Sequence, residues 1–179
     1  EDVARDLASD EPGVKVTQAD LSRPEDCASL ADELGKDSNL TALVNNAAVF
    51  SRTSGENKPE DWDLPMNVNA RAPWKLSTLL SDRLAQNNGS VVNLTDAASG
   101  RPYSEYLPYF ASKGALETLM RGLARKLAPD VRVNAVAPGP IDFPDSYSNS
   151  ERQAVINRTL LEREGTHEEI ARTCHFLAC

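Results

Sequence analysis

Short apolar runs alternate along this chain with longer stretches of helical periodicity. Residues 14–19 predict a strand, and residues 24–34 a helix with Ser22 as its cap and Pro24 in its first turn. A second strand over 40–44 ends at Asn45-Asn46-Ala47-Ala48. After a loop rich in Ser, Gly and Pro, a long helix is expected from about residue 60 to 85, distorted at Pro65 and Pro73. Asn87-Asn88-Gly89 reads as a turn and 91–94 as a third, buried strand. Residues 106–127 predict the next helix and 131–137 a fourth strand, stopped by Pro138-Gly139-Pro140. Helices are expected over 150–163 and 167–177, and residues 2–7 also look helical. Strand and helix in alternation predict an α/β fold with a parallel sheet, and no linker or repeat divides residues 1–179 into more than a single domain.

In open sheets of this kind, ligands sit beyond the carboxyl ends of the strands. Asp20 and Leu21 follow the first strand, Asn45 and Asn46 the second, Asp96 the third, and Pro138 and Gly139 the fourth. The polar candidates therefore gather at one edge. Tyr109 and Lys113 stand one helical turn apart and share a face. At about 4 Å, an ammonium would favour the phenolate by up to ~4 kcal/mol at an effective dielectric near 20. That would lower the phenol pKa by as much as roughly 3 units and suit it to proton exchange near neutral pH. Asp96 lies thirteen residues before Tyr109. Each residue alone has a structural reading too. Asp20 could open a helix, Asn45 and Asn46 satisfy a turn, Asn69 sit on a solvated helix, and Tyr-x-x-x-Lys mark an amphipathic one. Phe50 could be loop packing, and Asp96 a strand-end cap.

The chain's 179 residues are enough for one core, and 40% apolar with 26% charged content is ordinary for a globular protein. A net charge of −8 argues against a nucleic-acid partner or an anionic membrane surface. Cys27, Cys174 and Cys179 are odd in number and widely spread, so they read as reduced thiols in a cytoplasmic protein and suggest no metal site. No apolar run approaches the ~20 residues of a membrane span, and no signal peptide is visible. A start at Glu1, without Met, leads us to expect a piece of a longer chain.

Five features in order resemble the short-chain dehydrogenase/reductase family over essentially the whole chain. They are Asp20-Leu21 after a strand, Asn45 to Ala48, Asn69 seven residues after Trp62, Tyr109 with Lys113, and Val133 to Gly139. The resemblance implies a Rossmann-type doubly wound parallel sheet with helices on both faces, here truncated at both ends. The glycine-rich phosphate turn would precede Glu1, and the closing strand would follow Cys179. The resemblance also implies site roles. Asp20 and Leu21 would meet the adenine, and Asn46 and Ala47 the ribose side. Thr95, Pro138, Gly139 and Ile141 would flank the nicotinamide. Lys113 would bind the nicotinamide ribose and lower the pKa of Tyr109, the proton donor, while Asn69 would hold a water in a relay to Lys113. NADP, as NADPH, is the expected cofactor, with NAD left open.

Most members carry serine where Asp96 stands. The pteridine reductase branch carries aspartate there and tends to have an aromatic residue at the position of Phe50, stacking on the pterin. The resemblance thus implies reduction of a C=N bond in a dihydropterin-like substrate, held by Phe50, Asp96 and Tyr109. A carbonyl or alcohol oxidoreductase, such as an oxoacyl-carrier-protein reductase, is the alternative, with Asp96 protonated or Thr95 acting for serine. A non-catalytic fragment or scaffold is the third reading. A homo-oligomer, dimer or tetramer, is implied through the helices at 60–85 and after Tyr106. The apolar residues Leu76, Leu79, Leu80, Leu116, Leu119 and Leu123 would serve as plain core equally well.

Overall fold

The computed structural model describes residues 13–53, 55–56 and 58–179, so the helix expected at 2–7 lies outside the described residues. Three strands, β1 (Ala42–Asn45), β2 (Ser90–Leu94) and β3 (Arg132–Val136), pair in parallel in the order β1-β2-β3. The central strand β2 is buried along its whole length. Helices precede and link the strands: α1 (Pro24–Leu34), α2 (Pro59–Pro65), α3 (Ala72–Leu79), α4 (Ser81–Gln86) and α5 (Leu107–Leu127). After β3 come α6 (Asn149–Ile156) and α7 (His167–Ala178).

Strand periodicity sorts the core into two layers. Val91 and Val133 face Cys27, Ala31, Leu76, Leu80 and Leu123 of the helices on one side. Val92, Leu94 and Val136 face Ile170, Cys174 and Leu177 of α7 on the other. Helices therefore cover both faces, as the doubly wound reading requires. The last turn of α7 is tied to the sheet: Ser90 Oγ donates to the Ala178 carbonyl at 2.9 Å, and Arg132 donates to the Leu177 carbonyl at 2.7 Å.

The structure corrects several expectations. Residues 14–19 are not a strand; Val14 and Val16 are 42% and 47% exposed, and no neighbour shares a backbone ladder with them among the described residues. Apolar alternation without a pairing partner leaves only extended chain. Ser22 does not cap α1. Arg23 holds that place without a side-chain capping bond, and Ser22 instead donates its N–H and hydroxyl to the Asp20 carboxylate at 2.9 and 2.7 Å. The long helix is broken by a π turn (Met66–Arg71) and again at Leu80. Pro73 has no N–H for the carbonyl four residues back, that of Asn69, so the α ladder fails there. The Ala72 N–H reaches the Asn67 carbonyl instead. The helix expected to reach 163 stops at Ile156, where the Thr159 hydroxyl takes the Ile156 carbonyl at 2.8 Å. Leu76, Leu80, Leu116 and Leu123 are core, whereas Leu79 is 50% exposed.

Candidate active site

The site forms where β2 and β3 end. The Thr95 N–H donates to the Val136 carbonyl at 2.8 Å, and the Ala97 N–H to the Pro138 carbonyl at 3.0 Å. These bonds keep the two strand exits side by side and present Asp96 beyond the sheet edge. One Asp96 carboxylate oxygen accepts the Ala98 N–H at 2.7 Å; the other accepts the Tyr109 phenol at 2.7 Å. Helical spacing then sets Lys113 one turn further along α5, and its ammonium donates to the Leu94 carbonyl at 2.6 Å.

Burial dominates the electrostatics. Lys113 is 4% exposed, and desolvation lowers its pKa to about 8 despite the upward pull of the Asp96 carboxylate. The Tyr109 pKa is pushed well above the ordinary phenol value, first by burial, then by its hydrogen bond to Asp96 and by that group's charge. This overturns the expectation that Lys113 lowers it. The ammonium is committed to a main-chain carbonyl and lies 5.9 Å from the Tyr109 ring centroid. In this state the phenol is a held proton and no phenolate.

Asn69 sits in the π turn and is 1% exposed. Its side chain accepts the Val49 N–H at 2.8 Å and donates to the Val49 carbonyl at 3.0 Å and the Ser112 hydroxyl at 2.9 Å. Both amide hydrogens are thus engaged. The residue braces the loop after β1 against α5.

Phe50, on that loop, stacks on Tyr106 (centroids 4.3 Å apart, planes 5° apart) and meets Tyr109 edge-on at 4.7 Å. It forms one wall of a cavity of about 1450 Å³. Asn46, Thr95, Asp96, Tyr109, Lys113, Pro138, Gly139 and Ile141 line the same cavity. Asp20, Leu21, Ala47 and Asn69 lie outside its wall. Thr95 is 5% exposed and gives its hydroxyl to the Val136 carbonyl at 3.2 Å.

Sequence reading missed the aromatic surround. Tyr103, Phe143 and Tyr147 also line the cavity, and Tyr106 backs Phe50, so all four tyrosines of the chain gather around one site. The three-residue spacing of Tyr103, Tyr106 and Tyr109 was the available signal. Among the described residues, no group of side chains is placed to hold a metal ion, and no helix is long and apolar enough to cross a membrane.

A family model described as Enoyl-(Acyl carrier protein) reductase matches residues 1–179. The chain belongs to the short-chain dehydrogenase/reductase family and is an oxidoreductase of the nicotinamide-dependent kind. Dihydromonapterin reductases of Escherichia coli (strain K12) and Enterobacter sp. (strain 638) are similar to it, each at 29% identity, over 92% of this chain and 71% of theirs. An apo SCOR enzyme from Clostridium thermocellum superposes with a TM-score of 0.86 at 28% identity, over 99% of this chain and 72% of that one. A blue fluorescent protein from a metagenomic library, solved with NADPH, gives a TM-score of 0.86 at 28% identity, over 99% of this chain and 73% of its own.

Proposed function

We propose that this protein is an NADPH-dependent reductase acting on the C=N bond of a dihydropterin-like heterocycle. The observation that carries the reading is the 2.7 Å bond from the Tyr109 phenol to the Asp96 carboxylate, beside the Phe50 wall. A carboxylate at this point repels a developing alkoxide and attracts ring N–H groups. Phe50 offers a flat face to a heteroaromatic ring. The relatives named dihydromonapterin reductases support the same substrate class.

The residues present fit a nicotinamide cofactor. Lys113 keeps two N–H donors after its bond to Leu94, beside the Tyr109 hydroxyl. Gly139 opens onto space that no side chain of its own fills. Lys113, Asn46, Pro138, Gly139 and Ile141 would hold the nicotinamide half, with Asp20, Leu21 and Ala47 on the adenosine side. The chemistry supplied when it is bound is hydride transfer to a ring carbon. The protein handles the proton. Ring N–H groups replace the phenol as donors to Asp96, and the freed Tyr109 hydrogen passes to the ring nitrogen. Lys113, cationic below pH about 8, offsets the charge left on the phenol oxygen. Asn69 keeps the Val49 backbone and Ser112 in place, which fixes Phe50 and Tyr109 relative to each other.

The carbonyl-reductase reading asks more of the site. Thr95 would have to leave the Val136 carbonyl, or Asp96 would have to hold a proton. The free thiols among the described residues fit a reducing, cytoplasmic setting. The exposed Trp74, Leu79 and Leu107 leave an apolar surface on α3 and α5 for the homo-oligomer that the family resemblance implies.

The test is steady-state turnover of a dihydropterin and of a simple ketone with NADPH, in the wild type and in Asp96→Ser. Pterin turnover should fall and ketone turnover rise in the variant. Unchanged pterin turnover in Asp96→Ser would remove the basis of this assignment.

A further inference from the structure

We propose that Arg52 is a positioning residue, a latch that ties the segment 142–156 over the cavity to the Phe50 wall. Arg52 follows Phe50 by two residues on the loop leaving β1. Its Nε donates to the Tyr106 hydroxyl at 2.9 Å. Its guanidinium carbon lies 5.7 Å from the centroids of both the Tyr106 and Tyr147 rings. Its Nη2 lies 3.4 Å from one carboxylate oxygen of Glu151. One planar cation thus touches the body of the site through Tyr106 and the covering segment through Tyr147 and Glu151.

The covering segment is built to be gripped. The other Glu151 oxygen accepts the Ser148 N–H at 2.8 Å and hydroxyl at 2.7 Å, closing a capping box on the first turn of α6. Phe143, Pro144, Tyr147 and Val155 of this segment line the cavity. Holding Glu151 therefore holds the whole first turn.

The loop that carries Arg52 is anchored without it. Val49 is fixed by Asn69 through two bonds, and Thr53 gives its N–H and hydroxyl to the Glu105 carbonyl at 2.9 and 3.2 Å. The bonds of Arg52 are spent on Tyr106 and the covering segment. Tyr106 in turn stacks on Phe50, and Phe50 meets Tyr109 edge-on. Closure of the segment is so joined to the spacing between the ring-stacking wall and the proton donor. Arg52 and Glu151 are both about half exposed, so the ion pair is weak and can open to admit a ligand.

The latch is a geometric claim, whereas its effect on substrate rests on the reductase reading above; two readouts keep them apart. The first is amide hydrogen exchange over 143–156 in the full chain without ligand, comparing wild type with Arg52→Ala and Tyr147→Leu. Both variants should exchange there several-fold faster, with β2 unchanged. Unchanged exchange over 143–156, or acceleration spread equally into β2, overturns the latch. The second is turnover of a dihydropterin by Arg52→Ala and Arg52→Lys. KM should rise about tenfold in Arg52→Ala with a smaller fall in kcat, and lysine should restore little because it lacks the planar fork. A fall in kcat with KM unchanged, or full rescue by lysine, counts against positioning by Arg52. A wild type inert toward pterins, with the exchange result intact, would fell the substrate assignment and leave the latch standing.

Discussion

Asp96 decides what Tyr109 can do. A serine at that position would share its hydrogen bond with the phenol as an equal; a carboxylate can only accept, so it takes the phenol hydrogen whenever nothing better is offered. Removal of that hydrogen should abolish proton delivery and leave the cavity walls intact. Tyr109→Phe is expected to lose roughly 10²–10⁴ in turnover while NADPH affinity, read by fluorescence titration, stays within about twofold. Normal turnover in that variant would place the proton source elsewhere. Lys113 predicts the pH response. With its pKa lowered to about 8, the ammonium proposed to stabilise a charged Tyr109 oxygen is lost as pH rises through that value. kcat/KM should therefore decline above pH about 8, and a profile flat to pH 10 would contradict the role. The apparent midpoint will belong to Tyr109 and Lys113 together and not to one residue. Asp96, Tyr109 and Lys113 were legible in the sequence because strand ends and helical turns are read from local pattern, and Phe50 only through the family resemblance. The direction of the Tyr109 shift was not, since it follows first from burial and then from the bond to Asp96, both of which only the tertiary fold supplies. Arg52 gave no signal at all, for its partners are assembled only by the tertiary fold.

At the scale of elements, proline and glycine set most of the boundaries. Helix α1 begins at Pro24 and ends before Gly35, and its expected bounds match the observed ones. The same logic applied to Pro73 foretold a distortion, but not that the repair would be a π turn placing Asn69 inside. Residues 14–19 show the opposite case, where an apolar pattern needed a pairing neighbour that no local rule supplies. Gly89 joins α4 to β2 under tight constraint. A Cβ there would lie 2.7 Å from the Thr41 carbonyl oxygen and 3.0 Å from that of Leu84, both main-chain atoms with little freedom to retreat. Gly89→Ala is expected to cost about 1–3 kcal/mol in urea unfolding, and a cost near zero would mean the turn is looser than it looks. Ser148→Ala removes the cap of α6 at a local cost of about 1 kcal/mol. Its signature should be faster exchange over 149–156 without a change in the global midpoint.

For the whole molecule, the buried Lys113 makes stability depend on pH in a defined window. Its native pKa of about 8 lies below the ordinary 10.5, so between those values the unfolded chain binds more protons. Stability from this group accordingly rises with pH from about 8 to 10.5. The raised pKa of Tyr109 acts in reverse: its contribution is complete below about pH 10 and lost above it. Between pH 8 and 10, Lys113 acts unopposed by Tyr109. Urea midpoints of the wild type should climb relative to Lys113→Met over that interval, and parallel curves would refute the burial argument. The gathering of every tyrosine at one cavity carries a spectroscopic consequence. Phenol absorbance and near-ultraviolet dichroism from tyrosine arise around this cavity, while the indoles of Trp62 and Trp74 lie outside its wall. An alkaline absorbance titration of the intact chain is therefore a recording of the site itself, with no label needed.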